Sequence, residues 1–411
     1  MPSNPSAERL IADLRTLATI GRKGQGLYRR AFSEQDLEAR LWVKARMEEA
    51  GLETSLDSFG NLIGYTPGCE RYVLIGSHTD TVPNGGWLDG ALGVMAGLEV
   101  ARVMPPGRET GVAVISFSDE EGRFCPLLGS QLFCGHLSPQ SALGLVDESG
   151  TALADARAQI GLSGDTVLRL DPSRHVAYLE LHIEQGPILE HEGLEIGIVS
   201  DIVGIARARV RFRGQADHAG TTPMALRRDA ARGAYLFAEE FHRFCSEAAE
   251  SGSVWNLGGI RAEPGAFNVV AERAEILVEF RSSSSDSIRL MQRQIPILAQ
   301  AAAQATRADV EILPAGDVAP VAMSARVTEV MARAATALGF RPKPMVSGAG
   351  HDAMTMAPHV STAMLFIPSL GGRSHTPEEH STDEALTAGL AVLSATAAEL
   401  LAQEIQLEAV R

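Results

Sequence analysis

Short apolar runs that end abruptly in polar residues punctuate the first half of the chain. RYVLIGSH (71–78), GVAVISFSDEE (111–121) and HVAYLELHIEQG (175–186) each predict a buried strand with a histidine or acids at its end. Between the first two, GALGVMAGLEVARVM (90–104) predicts a helix. Upstream, Leu10, Ile11, Leu14 and Leu17 recur at helical spacing, and a second helix is expected over about residues 34–49, stopping at Gly51. Apolar strands separated by helices predict a mainly parallel sheet flanked by helices, an α/β domain. Ligands bind such sheets beyond the carboxyl ends of the strands. Those ends carry His78, the run Asp119-Glu120-Glu121, and His182 with Glu184.

The pattern changes near residue 206. ARARVRFRG (206–214) alternates strictly, with Ala206, Ala208, Val210 and Phe212 on one face and Arg207, Arg209, Arg211 and Arg213 on the other. That is a half-exposed antiparallel strand. A long helix (about 225–249), strands near 253–260 and 268–281, a helix near 284–304 and a strand at 308–313 complete a compact α+β module. Alternation of helix and strand resumes after about residue 320. The expected division is a discontinuous domain of residues 1–207 and 319–411 with an α+β domain, 208–318, inserted into it.

The chain has 411 residues, 45% hydrophobic and 21% charged, which suits a globular protein of two domains. A formal net charge of -15 repels phosphate backbones, so no nucleic-acid partner is expected. No run is expected to reach the roughly 18 apolar residues of a membrane span. MPSNPSAERLIADLR has no basic stretch followed by an apolar one, so a cytoplasmic location is expected. Cys69, Cys125, Cys134 and Cys245 form no C-x-x-C pair and signal neither a disulfide framework nor a thiolate zinc site.

The candidate chemistry lies at the strand ends. In GSHTDTVPNGGWLDG (76–90), Asp80 can accept the second imidazole N–H of His78 and fix the tautomer that binds metal. Asp89 follows a Gly-Gly turn, and its two oxygens can bridge two ions. In SDEEGRF (118–124), Glu120 and Glu121 can both reach one cleft, one as ligand and the other as general base. His182 lies in LELHIEQG and His375 in the polar loop GGRSHTPEEHS (371–381). Taken singly, these residues have ordinary readings as a helix cap, a solvated acidic loop, a core histidine and a loop histidine. Together, three histidines and two carboxylates at strand ends suit Zn²⁺.

GSHTDTVPNGGWLDGALGV, FSDEEGRF, ELHIEQGP, GQADHAGTTPM, SGAGHDAM and SHTPEEHS, in this order from residue 76 to 381, together resemble the dinuclear zinc amidohydrolases of the aminoacylase/carboxypeptidase clan. They look most like its branch of N-carbamoyl-L-amino acid hydrolases, allantoate amidohydrolases and β-ureidopropionases. The resemblance implies that His78, Asp89 and His182 hold one ion, and Asp89, Glu121 and His375 the other. Glu120 would be the general base and Asp80 the partner of His78. The inserted domain would be a lid and dimerisation domain, with hinges near 205–208 and 315–320. His218 there would polarise the scissile carbonyl, and Asn268 and Arg281 would grip the substrate carboxylate. Gln185, Gly350 and His351 would line the pocket. The implied protein is a homodimer through the lid, and some lid groups, His218 among them, would serve the partner's site. Its two divalent ions would be Zn²⁺, with Mn²⁺, Co²⁺ or Ni²⁺ as alternatives.

The expected reaction is hydrolysis of a carbamoyl or ureido C–N bond in a small carboxylic acid, an N-carbamoyl-L-amino acid first and allantoate as the alternative. The wider clan commonly has a carboxylate where His182 stands, which counts against a dipeptidase or aminoacylase. A metal-free binding protein on the same scaffold would have no need of all five ligands together with Asp80 and Glu120. Two departures from the branch bear on substrate identity: a short GRFCPLLGS segment containing Cys125, and His380 where a larger aromatic is expected; of His375 and His380, the resemblance favours His375 as ligand because it carries the family's Ser-His position.

Overall fold

The computed structural model describes residues 5–104 and 109–402; the expected domain limits at residues 1 and 411 lie outside these. The chain forms two compact units, Met1–Ser200 with Ala322–Arg411, and Asp201–Val321.

At the centre of the larger unit lie four parallel strands in the spatial order Ser361–Ile367, His175–Ile183, Arg71–His78 and Thr110–Phe117. Antiparallel strands extend both edges: Gly197–Ile202 on one side, Leu62–Tyr65 and then Glu53–Leu56 on the other. The central strands are buried almost throughout, so they lack a period of two. Helices supply the cover. Ala91–Val103 buries every residue but Arg102. Asp383–Ala402 is long and apolar enough to cross a membrane, yet 67% of its apolar window is buried in the protein. It inserts Leu386, Leu390, Leu393 and Leu400 into the core, each contributing ~1.5–3 kcal/mol on full burial. Parallel register does the work that matters for the site. His78 pairs with Phe117, and His182 with Phe366. Both histidines and the loop after Phe117 therefore emerge at one end of the sheet.

The smaller unit is an antiparallel sheet in the order Val254–Glu263, Arg273–Ser282, Gly204–Arg213, Asp309–Pro314. Ala206, Ala208, Val210 and Phe212 face helices Ala230–Ala248 and Ser285–Thr306, packing among Phe237, Phe241, Met291 and Ile295. On the open face Arg207, Arg209 and Arg211 pair with Glu279 and Glu275. The first helix begins at Ala230 rather than about 225, because Asp229 caps it by accepting from Arg232 N. The second long strand begins at Arg273 rather than 268, because the segment before it pairs elsewhere. Val269 bridges His218, and Val270 N donates to Asp217 O.

Candidate metal centre

His78 and His182 are almost fully buried, and each is oriented through its Nδ1. That of His78 lies 3.0 Å from the backbone carbonyl of Asp80, and that of His182 lies 2.9 Å from the carbonyl of Ile183. A ring that donates Nδ1–H to a carbonyl presents Nε2 as its ligand atom. The orienting group of His78 is thus the Asp80 carbonyl and not, as expected, the Asp80 carboxylate, which stands 3.9 Å away. That carboxylate turns instead to Glu121 N (3.3 Å) and to the fully buried Arg40 guanidinium (3.5 Å).

Asp89 faces two ways. Its Oδ1 lies 3.1 Å from His182 Nε2 and 3.9 Å from His78 Nε2. Its Oδ2 lies 3.1 Å from His375 Nε2, and Glu121 Oε2 is 3.5 Å from that same nitrogen. Two donor groups result, His78/Asp89/His182 and Asp89/Glu121/His375, each with ligand atoms within 4.8 Å of one another. Gly90 makes the first possible. A Cβ there would sit 2.4 Å from the His78 ring, and the residue has φ +65°.

Three non-glycine residues around the cleft adopt left-handed backbone: Asp119 (φ 55°), Gln185 (φ 56°) and His375 (φ 55°). Such conformations cluster at functional sites. At Asp119 the turn releases Glu120 and Glu121 from strand alternation. Glu120 Oε2 then lies 3.5 Å from His78 Nε2 while Glu121 faces His375. The Asp119 carboxylate clasps the turn by accepting from Arg123 N, Phe124 N and Cys125 N. Burial pushes the Glu120 carboxyl well above the usual range, reinforced by the charges of Glu121, Asp352, Asp89 and Asp80.

Gln185 donates Nε2–H to Asp89 Oδ2 (3.1 Å), so it reaches the bridging carboxylate itself. His351 is buried against the His182 ring, with centroids 4.5 Å apart, and its Nε2 engages Ser347 Oγ. Gly350 is exposed, with open space where a Cβ would stand. Glu180, His182 and His351 form a third converging group. The Glu180 carboxylate, however, already accepts from Ser77 Oγ, Ala353 N and Tyr178 OH, and so acts as an internal anchor. Glu379 escaped the sequence reading. It accepts from Leu88 N (2.9 Å), Asp89 N (3.0 Å) and Ser374 Oγ (3.0 Å), joining the loop that carries Asp89 to the loop that carries His375. Its only sequence signal is its place inside SHTPEEHS. His380 is exposed, stacks on Trp87 at 5.9 Å, and belongs to none of the three converging groups.

In the smaller unit, His218 and Asn268 lie side by side, through the His218–Val269 bridge and the bond from Ala219 N to Asn268 O. His218 Nδ1 accepts from Gly220 N (3.0 Å) and Thr221 N (3.2 Å), so the ring's N–H is on Nε2. Arg281, held by Glu279 at 2.7 Å, pairs with Ile205 at the opposite end of its strand. From Arg273 to Arg281 the strand runs about 26 Å at ~3.3 Å per residue. Within one chain, Asn268 and Arg281 therefore do not meet on a single carboxylate.

The donor set fits divalent cations. Donor pairs 3.1–3.9 Å apart bracket the ~3.4 Å that two ~2.1 Å bonds make at a tetrahedral angle. Gln185 Oε1 is buried with no partner among the described residues, an acceptor beside Asp89. Protons occupy the same nitrogens. Burial opposes charge on His182, but Asp89 outweighs it and raises the imidazole to about 9. The bond to Asp89 likewise raises His375 to about 9, against its burial. Both rings are thus protonated at pH 7, and a cation must displace those protons. Loading metal-stripped protein with Zn²⁺ at pH 7 should release protons, and apparent affinity should rise with pH up to about 9. Calorimetry in buffers of different ionisation enthalpy reads this, and binding without proton release would contradict it.

Residues 74–399 match the model of peptidase family M20/M25/M40. The N-carbamoyl-L-amino-acid amidohydrolase of Paenarthrobacter aurescens is 36% identical over 400 residues, covering 94% of this chain and 96% of that protein. The allantoate amidohydrolase of Escherichia coli (strain K12) is 33% identical over 380 residues, with coverage of 90% and 92%. The crystal structure of an amidase of the hydantoinase/carbamoylase family from Burkholderia phymatum superposes with a TM-score of 0.91 at 38% identity, over 97% of this chain and 98% of that one. With this likeness running nearly end to end, the chain belongs to peptidase family M20/M25/M40, in the branch of the N-carbamoyl-L-amino acid and allantoate amidohydrolases.

Proposed function

We propose that this protein hydrolyses the carbamoyl C–N bond of an N-carbamoyl-L-amino acid, with two divalent cations held by His78, Asp89 and His182 and by Asp89, Glu121 and His375. It is a hydrolase of linear C–N amide bonds other than peptide bonds. The observation that carries the reading is Asp89, whose two oxygens face separate donor sets. When bound, cations of this kind polarise a carbonyl and make water nucleophilic near neutral pH. Glu120 takes the proton of the attacking water and delivers it to the leaving nitrogen. The carbamoyl group leaves as ammonia and carbon dioxide. We assign the Nε2–H of His218 to the developing oxyanion, since its Nδ1 is already an acceptor. Arg281 is assigned to the substrate carboxylate, which its guanidinium fork suits.

The ~26 Å between the two ends of the strand supports a site completed by a second copy, with Arg281 from one chain and His218 and Asn268 from its partner. Val254–Glu263 is an edge strand exposing Val254 (55%) and Ile260 (48%), a surface suited to pairing with another copy. Sedimentation at micromolar concentration should give a dimer; a monomer would count against this arrangement.

Relatives named for allantoate stand close to those named for N-carbamoyl-L-amino acids, which keeps allantoate as the competing substrate. Relative kcat/KM for N-carbamoyl-L-amino acids, N-carbamoyl-β-alanine and allantoate decides between them. The proposal expects the first class to lead by at least ~10-fold, the discrimination of about 1.4 kcal/mol. A higher value for allantoate would reassign the substrate while keeping the reaction.

A further inference from the structure

Apart from the metal cleft, the larger unit brings two other imidazoles together. Nε2 of His136 lies 2.7 Å from Nε2 of His359, with ring centroids 4.8 Å apart and planes at 44°. His136 is exposed and His359 half-buried.

Neither ring is placed by a free-running loop. His136 follows helix Leu128–Cys134, which ends at Gly135 in left-handed conformation, and its backbone N donates to Gln131 O at 2.9 Å. His359 closes the turn after helix Asp352–Met356, its N donating to Met356 O at 3.0 Å. The two helices touch just beneath the rings, where Cys134 Sγ lies 3.5 Å from Met356 Sδ. The facing of the two nitrogens is therefore set by packed helices.

Two Nε2 atoms at this distance need something between them. As a bare pair, one ring must donate and the other accept, and only one proton fits. A transition-metal cation accepts both lone pairs at once. Bonds of ~2.0–2.1 Å at a tetrahedral angle need nitrogens ~3.4 Å apart, an opening of about 0.7 Å from the observed 2.7 Å. The ligand chemistry is imidazole nitrogen, which suits Zn²⁺, Ni²⁺ and above all Cu²⁺. Burial pushes the Cys134 thiol up to about 12, so the neighbouring sulfur offers no thiolate.

We propose that His136 and His359 form a further, peripheral transition-metal site, distinct from the two donor groups that share Asp89, with water completing its coordination. It would join the helix that follows the Glu120-Glu121 loop to the helix that begins after His351. An ion there clamps two segments adjoining the cleft without touching substrate.

The test is equilibrium dialysis of the full-length protein against rising free Zn²⁺, with bound zinc counted by mass spectrometry. Wild type is compared with His136→Ala and His359→Ala, and with His136→Asn and His359→Asn, which keep a polar group of smaller but similar reach. Wild type should bind one Zn²⁺ per chain more than every variant, and the variants should keep wild-type hydrolysis. With Cu²⁺ added after Zn²⁺ has filled the two sites that share Asp89, electron paramagnetic resonance should show an additional signal with couplings to two imidazole nitrogens that all four variants lose. Equal zinc counts and an unchanged copper signal across the five proteins would overturn the proposal and leave an imidazole–imidazole hydrogen bond. Because the readout is stoichiometry at these two histidines, it stands or falls independently of the substrate assignment.

Discussion

Glu120→Gln should lower kcat by about 10²–10⁴-fold, the usual contribution of a positioned general base, while metal content stays at the wild-type level. Glutamine keeps the size of the side chain and removes only its capacity to take a proton. Glu120 stands 3.5 Å from His78 Nε2, and its side chain is 10% exposed, so bulk water cannot readily replace it as proton acceptor. It belongs to neither donor group that shares Asp89, which is why ion binding should survive. The pH profile carries a second signature. Burial and four neighbouring carboxylates raise the Glu120 carboxyl, and the base form is the charged one. Wild-type kcat should therefore fall as pH falls through the pKa of Glu120 in the metal-loaded enzyme, and the variant should lose that acid limb. A Glu120→Gln protein with wild-type kcat would sink the base assignment.

Asp89→Asn should strip both donor groups at once. One carboxylate supplies an oxygen to each, and it balances His182 and His375 across 3.1 Å contacts. Loss of a group that merely supports a ligand costs ~10–100-fold in metal affinity, and loss of a carboxylate shared by both sites should cost more. The fold should persist, because Glu379 holds the loop through the backbone N–H groups of Leu88 and Asp89. The same substitution removes the group that raises both imidazoles toward 9, so the proton release on zinc loading should shrink with it. Bound zinc after dialysis, with circular dichroism as a check on folding, reads the outcome. Unaltered zinc content would mean that Asp89 is a helix-start residue and no ligand.

Much of this centre was legible because strand ends are legible. RYVLIGSH and HVAYLELHIEQG announce where their strands stop, and parallel pairing then carries His78 and His182 to one end of the sheet. Strict alternation at 206–213 likewise reads directly as a strand with one buried face. The supporting contacts were not legible, because they join distant parts of the chain. Glu379 meets Leu88 across 291 positions, and Arg40 meets Asp80 across 40 from a helix of low apolar periodicity. No local pattern encodes such a meeting. Sequence spacing names Asp80 as the partner of His78 but cannot separate its carboxylate from its carbonyl, and it is the carbonyl that lies 3.0 Å from Nδ1. The distance between Asn268 and Arg281 became visible only once register showed the latter opposite Ile205.

The most direct test of the central claim is ammonia release from an N-carbamoyl-L-amino acid by metal-stripped protein, before and after reloading with Zn²⁺ or Mn²⁺. The account predicts negligible turnover without metal and restored turnover with it, lost again in Asp89→Asn. Turnover that survives complete metal removal, or none with metal bound, would contradict it.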